Sequence, residues 1–294
     1  MALERHHINH GNHKLTMLRI PDAPKSIQKG VSLKEVLDTE AIDCLAHNVT
    51  TVYAKFDQEQ FRTAALHQLE PLSLMERGVH IAKALRPCLP QKYDKAVKIL
   101  LKSLTPPNKE TEGLGLAVFF YHPHSCFVAE YGLDKSHNDD EDPFEISMQA
   151  QYELTKRNTS EFSIRPFLIQ DQKRTLARLN QWTSDPDPHV RRLCSEGTRP
   201  RLPWAPRIPA FVADPTPVLP ILEALKNDPS LYVRRSVANH LGDIGKDHPH
   251  MLFEICERWL AKADKDVKWL IRHALRHPAK KGDKTALALR SAAK

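Results

Sequence analysis

From Leu33 onward apolar residues recur at intervals of three and four. They do so through Val36–Tyr53, Phe61–Leu69, Arg77–Leu89 and Tyr93–Leu104, the period of helices with one buried face. Prolines fall between these segments or at their starts, where a helix tolerates them. No segment sustains the alternation of a half-buried strand, so the pattern predicts an all-α chain. Residues 1–30 read as a flexible tail ahead of a single helical domain over residues 31–294. The tail's His6, His7, His10 and His13 could bind a metal, but no apolar period anchors them, and a mobile segment is the expectation. Lys135–Pro143 (KSHNDDEDP) reads as a solvated acidic loop between helices.

The second half repeats itself. DPDPHVRRLCSEG at Asp185–Gly197 returns as DPSLYVRRSVANHLGDI at Asp228–Ile244, and more weakly as DKDVKWLIRHAL at Asp264–Leu275. Val190, Val233 and Val267 are spaced 43 and 34 residues apart. Such periods signal stacked helix pairs that each hide an apolar face against the next, here a HEAT-like helical-repeat superhelix. Each copy opens on Asp, which caps helices, and in the first two Pro follows.

At 3.6 residues per turn Val190, Leu193, Cys194 and Gly197 share a face. So do Val233, Ser236, Val237 and His240, and so do Val267, Leu270, Ile271 and Ala274. These are the expected packed faces, with Gly197 allowing close helix contact. The opposite face carries Arg192 and Glu196, then Arg235 and Asn239, then Trp269 and His273, each pair spaced i, i+4. Stacking aligns these positions along one surface, where Arg suits phosphate and Trp can stack on a base or sugar. Taken singly, Arg192–Glu196 reads rather as an ordinary surface helix pair and Trp269 as a packed cap; an exposed-face Trp in register with two arginines shifts the reading to a binding groove. Two further segments join this face. ELTKRNTSEFSIRPFL offers Glu161 four residues before Arg165, and EGTRPRLPW holds Arg199 and Arg201 in a proline-stiffened loop suited to clamping phosphate. Trp204 behind them reads equally as core.

Charge sharpens this reading. Residues 1–155 hold 17 basic and 21 acidic side chains; residues 156–294 hold 26 and 15. The net charge of +7 therefore resides wholly in the repeat half, which on charge alone reads equally as the footprint of a polyanionic partner, with DNA or RNA first, and as a solvated basic surface kept for solubility. Cys44, Cys88, Cys126, Cys194 and Cys256 are odd in number and scattered, which argues against disulfides and a structural zinc site. No apolar run approaches a membrane span and no signal peptide opens the chain, so a cytoplasmic monomer with no membrane contact is expected.

At LTKRNTSEFSIRPF, DPDPHVRRLCSEGTRPRLPWA, YVRRSVANHLGDIGKDHP and IRHAL the chain resembles the AlkC group of DNA alkylation repair proteins. The resemblance runs from about Val36 to the C-terminus and is most specific over residues 153–282. It implies a C-shaped superhelix of HEAT-like repeats around duplex DNA. It implies a monofunctional glycosylase that hydrolyses the bond between a methylated base and deoxyribose, with essential positions at Glu161, Arg192 and Glu196. In the related AlkD group the columns of Arg192 and Glu196 hold an aromatic residue and Asp, and those of Arg235 and Trp269 hold Arg and Trp. Some members carry an immunoglobulin-like C-terminal domain; this chain ends soon after IRHAL, and none is expected.

The chemistry suits those residues. A base methylated at a ring nitrogen is cationic and leaves readily, building positive charge on the sugar. A carboxylate beside that sugar stabilises the charge and orients water, with Glu196 the first candidate and Glu161 beside it. Arg192 would hold a carboxylate or phosphate. No metal or organic cofactor is required. The expected substrates are duplexes carrying 3-methyladenine, with 3-methylcytosine second. The competing reading is a helical-repeat scaffold that binds nucleic acid or protein without catalysis.

Overall fold

The computed structural model describes residues 17–294, and the histidines of the tail lie outside that range. Sixteen α-helices and five short 3-10 turns make up the regular structure, with no strand among the described residues. Residues 17–30, expected as part of the tail, are instead held to the body. Asn48 donates through Nδ2 to the Arg19 carbonyl at 2.6 Å and accepts from Arg19 N–H at 3.1 Å, and Leu116 N–H donates to Pro24 O. No described helix is long and apolar enough to cross a membrane.

In the first half α1 (Thr39–Val52), α2 (Gln58–Leu66), α3 (Leu74–Leu85) and α4 (Tyr93–Lys102) correspond to the four periodic windows. Side chains start them: Asp38 accepts from Ala41 N–H, Asp57 from Gln60 N–H, and Ser73 forms a capping box with Glu76. Next come α5 (His122–Tyr131) and α6 (Phe144–Thr155), with α5 packed on α3 and α6 on α4 and α5. The acidic loop before α6 is anchored rather than simply solvated. Asn138 is buried and accepts from Asp94 N–H at 2.9 Å, while Lys92 pairs with Glu141 at 2.7 Å.

The second half is a stack of helix pairs. α7 (Arg165–Gln170) leads into α8 (Gln172–Trp182), which pairs with α9 (Pro188–Glu196). After the short α10 (Pro209–Ala213), α11 (Leu219–Leu225) pairs with α12 (Leu231–Ile244), and α13 (Pro249–Leu260) with α14 (Lys265–Ala274). α15 (Arg276–Lys280) and α16 (Lys284–Ala292) end the chain. Within the stack α9, α12 and α14 pack on one another in order, so the three aligned motifs become one layer. All twelve residues expected on their packed faces are buried. Gly197 is needed there: a Cβ would lie 2.6 Å from Ile164 Cγ2, so the end of α9 could not approach the start of α7.

The recurring DP…VRR has a physical reason. The first arginine of each pair folds back onto its own turn. Arg191 Nη1 donates to Asp185 O and Pro186 O at 2.8 and 3.0 Å, and Arg234 Nη1 to Asp228 O and Pro229 O at 2.6 and 3.0 Å. Each also reaches the following copy, Arg191 to Asp228 at 2.6 Å and Arg234 to Asp266 at 3.2 Å. Asp228 is therefore a rung between repeats, not a helix cap. α9 is capped by Asp187, and Asp185 and Asp228 accept from the N–H two residues on. One arginine of each pair is thereby committed to scaffold, and the next lies on the opposite face, Arg192 half-buried and Arg235 exposed.

Candidate functional site

Glu161, Arg192 and Glu196 converge. Arg192 rises from the middle of α9. Its Nη1 lies 2.5 Å from Glu161 Oε2 and donates to Thr159 Oγ1 at 3.1 Å, and its Nη2 lies 3.4 Å from Glu196 Oε1. Thr159 donates its hydroxyl to Glu161 Oε2 at 2.8 Å and accepts from Glu161 N–H, fixing the carboxylate on the turn before α7. The Tyr232 ring of α12 lies 5.2 Å from the Arg192 guanidinium carbon and packs T-shaped with the His189 ring, centroids 5.5 Å apart.

The chain of alternating charge continues past Glu196. Arg199 Nη1 donates to Glu196 Oε1 at 2.6 Å, and Arg199 Nε donates to Asp243 Oδ2 at 2.7 Å. Asp243 also accepts from Lys246 at 2.8 Å. Ser236 donates to Glu196 Oε2 at 2.6 Å. The network thus reads Glu161, Arg192, Glu196, Arg199, Asp243, linking the turn before α7 through α9 to α12. Burial alone would lower the Arg192 guanidinium; Glu161 and Glu196 outweigh it and hold its pKa above the ordinary value. Burial alone would raise Glu196; Arg192, Arg199 and the Ser236 hydroxyl overcome it and hold that carboxyl below the usual range.

The two carboxylates differ. Glu196 has both oxygens engaged and a side chain 7% exposed. Glu161 is engaged through Oε2, while Oε1 receives no hydrogen bond among the described residues. Glu161 is therefore the carboxylate with an acceptor to offer, and Glu196 is the counter-charge that holds two arginines.

Several expectations need correction. Arg192 and Glu196 are not a solvated helix pair; both belong to the nearly buried network. Arg165, expected on the groove face, is 1% exposed. It donates to Pro206 O at 2.6 and 2.9 Å, to Arg199 O at 2.8 Å and to Gly197 O at 3.2 Å, so it ties down the 197–206 loop from inside. Arg199 and Arg201 are not a free phosphate clamp. Arg199 is buried between Glu196 and Asp243, and Arg201 makes a two-pronged pair with Asp247 at 2.6 Å. A guanidinium already neutralised by carboxylates has little charge left for phosphate. Trp204 is 63% exposed at the loop tip, with a φ of 64°, so it is not core.

The remaining positions lie together on α12 and α14. Arg235 is exposed. Asn239 Oδ1 accepts from Arg276 Nη2 at 2.9 Å and lies 3.1 Å from His273 Nε2. Trp269 stacks on His273 with ring centroids 5.1 Å apart. Sequence reasoning missed Thr159, Tyr232, Ser236, Asp243 and Arg276. Asp243 had a signal, since a lone carboxylate in the apolar run Leu241–Ile244 demands a buried partner. Arg276 had one too, seven residues after Trp269 on the same helical stripe. Thr159 and Ser236 had none that separates them from ordinary packing.

No family model matches the chain. It is 43% identical over 258 residues to the uncharacterized protein YhaZ of Bacillus subtilis (strain 168), covering 87% of this chain and 67% of that protein. Among solved structures it is similar to the alkylpurine DNA glycosylase AlkC of Pseudomonas fluorescens, bound to DNA containing an abasic site analog. The TM-score is 0.77 at 38% identity, with 88% of this chain and 68% of that chain covered.

Proposed function

The chain belongs to the AlkC family, and on that premise we propose that it is a DNA glycosylase acting on duplex DNA that carries cationic, N-methylated bases, chiefly 3-methyladenine and secondarily 3-methylcytosine. The observation that carries the reading is the carboxylate pair around Arg192, with one oxygen of Glu161 left open, in the basic half of the chain. A pure phosphate-binding surface has no use for buried carboxylates, which repel the backbone.

In the proposed step the N-glycosidic bond breaks and its electron pair goes to the base, discharging the base's positive charge. The base therefore leaves neutral without receiving a proton. Positive charge grows on the sugar, and Glu161 stabilises it. Water held at Glu161 Oε1 adds to the anomeric carbon and gives up a proton through that carboxylate, leaving an abasic site. Arg192 holds Glu161 in place, and Glu196 keeps Arg192 charged and aimed. Uracil would leave as an anion and needs donors that this carboxylate-rich site does not offer. The protein is proposed to work as a monomer without a metal or organic cofactor.

The test is a panel of duplexes, each with one lesion, under single-turnover conditions. Release of 3-methyladenine and none of uracil is expected. Glu161→Gln should lower the rate on the order of a hundredfold with DNA affinity retained. Uracil release without 3-methyladenine release would overturn the assignment. Tight DNA binding with no base released at all would leave only a non-catalytic scaffold.

A further inference from the structure

A groove for duplex DNA needs unpaired positive charge, and the RPRLPW loop does not supply it, because Arg199 and Arg201 are neutralised in place. Another part of the fold does. α14, its corner into α15, and α16 bound an open cavity of about 300 Å³ lined by Trp269, Arg272, His273, Arg276 and Arg290. No carboxylate lines it. The Trp269–His273 stack forms one wall, the two rings 18° from parallel. Arg276 is held at the rim, donating to His273 O at 2.7 Å and to Asn239 Oδ1 at 2.9 Å. Arg272 donates to the Ala293 carbonyl and so pins the end of α16 beside α14. That contact brings Arg290 to the cup, where it makes no hydrogen bond or ion pair to the described residues. Burial, with Arg276 and Arg235 next, pushes the His273 imidazole down to about 4, so at neutral pH the charge of the cup resides in its guanidiniums.

We infer that this three-arginine cup seats a phosphodiester of duplex DNA, replacing the loop as the phosphate clamp. The inference rests on the DNA reading above. Guanidinium forks match phosphate oxygens, and a cup without carboxylates keeps their full charge for the ligand. Its position suits the role. Asn239 joins it to α12, the helix that also supplies Tyr232, Ser236 and Asp243 to the carboxylate network. DNA seated in the cup therefore runs along the same helix layer towards Glu161.

The experiment measures anisotropy of a fluorescein-labelled duplex with an abasic-site analogue over a potassium chloride series. Each lost phosphate contact reduces the slope of log affinity against log salt by about 0.9. Arg290→Ala should show that reduction, with affinity about three- to tenfold weaker, and Arg290→Lys should recover most of it. Arg62→Ala removes the same charge from α2 and should leave slope and affinity unchanged. Single-turnover release of 3-methyladenine by the wild-type protein is measured in parallel. A wild-type slope in Arg290→Ala, or an equal loss in Arg62→Ala, overturns the cup. The two readings fail separately: an Arg290-dependent slope without base release sinks the catalytic proposal alone, and base release with an Arg290-independent slope sinks the cup alone.

Discussion

Four arginines of nearly identical local chemistry have four different fates here. Arg165 serves backbone carbonyls, Arg191 joins repeats, Arg192 sits between two glutamates, and Arg290 has no partner among the described residues. Which fate an arginine meets depends on the acceptors that approach it, and its consequences are measurable. Arg165→Ala removes a charged donor from three carbonyls, those of Gly197 and Arg199 in buried bonds and that of Pro206 in part-buried ones, and hydrogen bonds to charged groups contribute about 1.5–3 kcal/mol each. A loss of about 2–5 kcal/mol is expected, seen as a lower urea midpoint. Arg165→Lys should recover only part of it, because one ammonium lacks the planar fork that reaches Pro206, Arg199 and Gly197 together. An unchanged midpoint in Arg165→Ala would show that the loop is held by other contacts.

At the scale of elements, the stack depends on rungs that cross from one helix pair to the next. Asp228 has a side chain 2% exposed, and it receives both Nε and Nη2 of Arg191, at 2.6 and 3.1 Å. Removing one partner of such a pair leaves the other charge poorly solvated, at a cost of about 3–5 kcal/mol. Asp228→Ala should therefore lower stability by that amount, seen as a lower denaturation midpoint. The same change at Asp266 should cost less, because that carboxylate is 42% exposed and meets Arg234 through one contact at 3.2 Å, while Arg234 keeps the carbonyls of Asp228 and Pro229. Equal losses at the two positions would contradict the rung assignment. The motif behind these rungs was legible in the sequence as a repeat, and the 3.6 period put its second arginine on the face opposite the packed one. That the first arginine is scaffold was not legible, because its acceptor Asp228 or Asp266 comes from the following copy.

At the scale of the whole molecule, three buried histidines make stability depend on pH. Burial pushes His122 and His240 down to about 4 and His124 to about 3. Neither nitrogen of His124 has a hydrogen-bond partner. The unfolded chain takes up these protons near pH 6.5, well before the folded chain does. Stability is therefore complete above about pH 6.5 and falls as pH drops towards the folded-state values, by about 2 kcal/mol per imidazole at pH 5. The urea midpoint should fall steeply between pH 7 and pH 5. A flat midpoint over that range would mean that the imidazoles are hydrated or already charged.

Periodicity along the chain determined the helices, the three-copy stack and the faces that pack, because each of these depends on residues within a few turns of one another. Arg192, Glu196, Asn239, Trp269 and His273 came from their common stripe, the essential role of Glu161, Arg192 and Glu196 came from the resemblance, and tertiary structure brought each set together. It alone decided what each charge does. Arg199 and Asp243 are 44 residues apart and Arg201 and Asp247 are 46 apart, yet these pairings supply both arginines with counter-charges. Ser236, an unremarkable residue on a packed face, donates to the Glu196 oxygen that its arginines leave open. Side-chain chemistry is written locally, but the free energy of a charge depends on its counter-charge and its access to water. Both are set by segments that meet only when the chain folds.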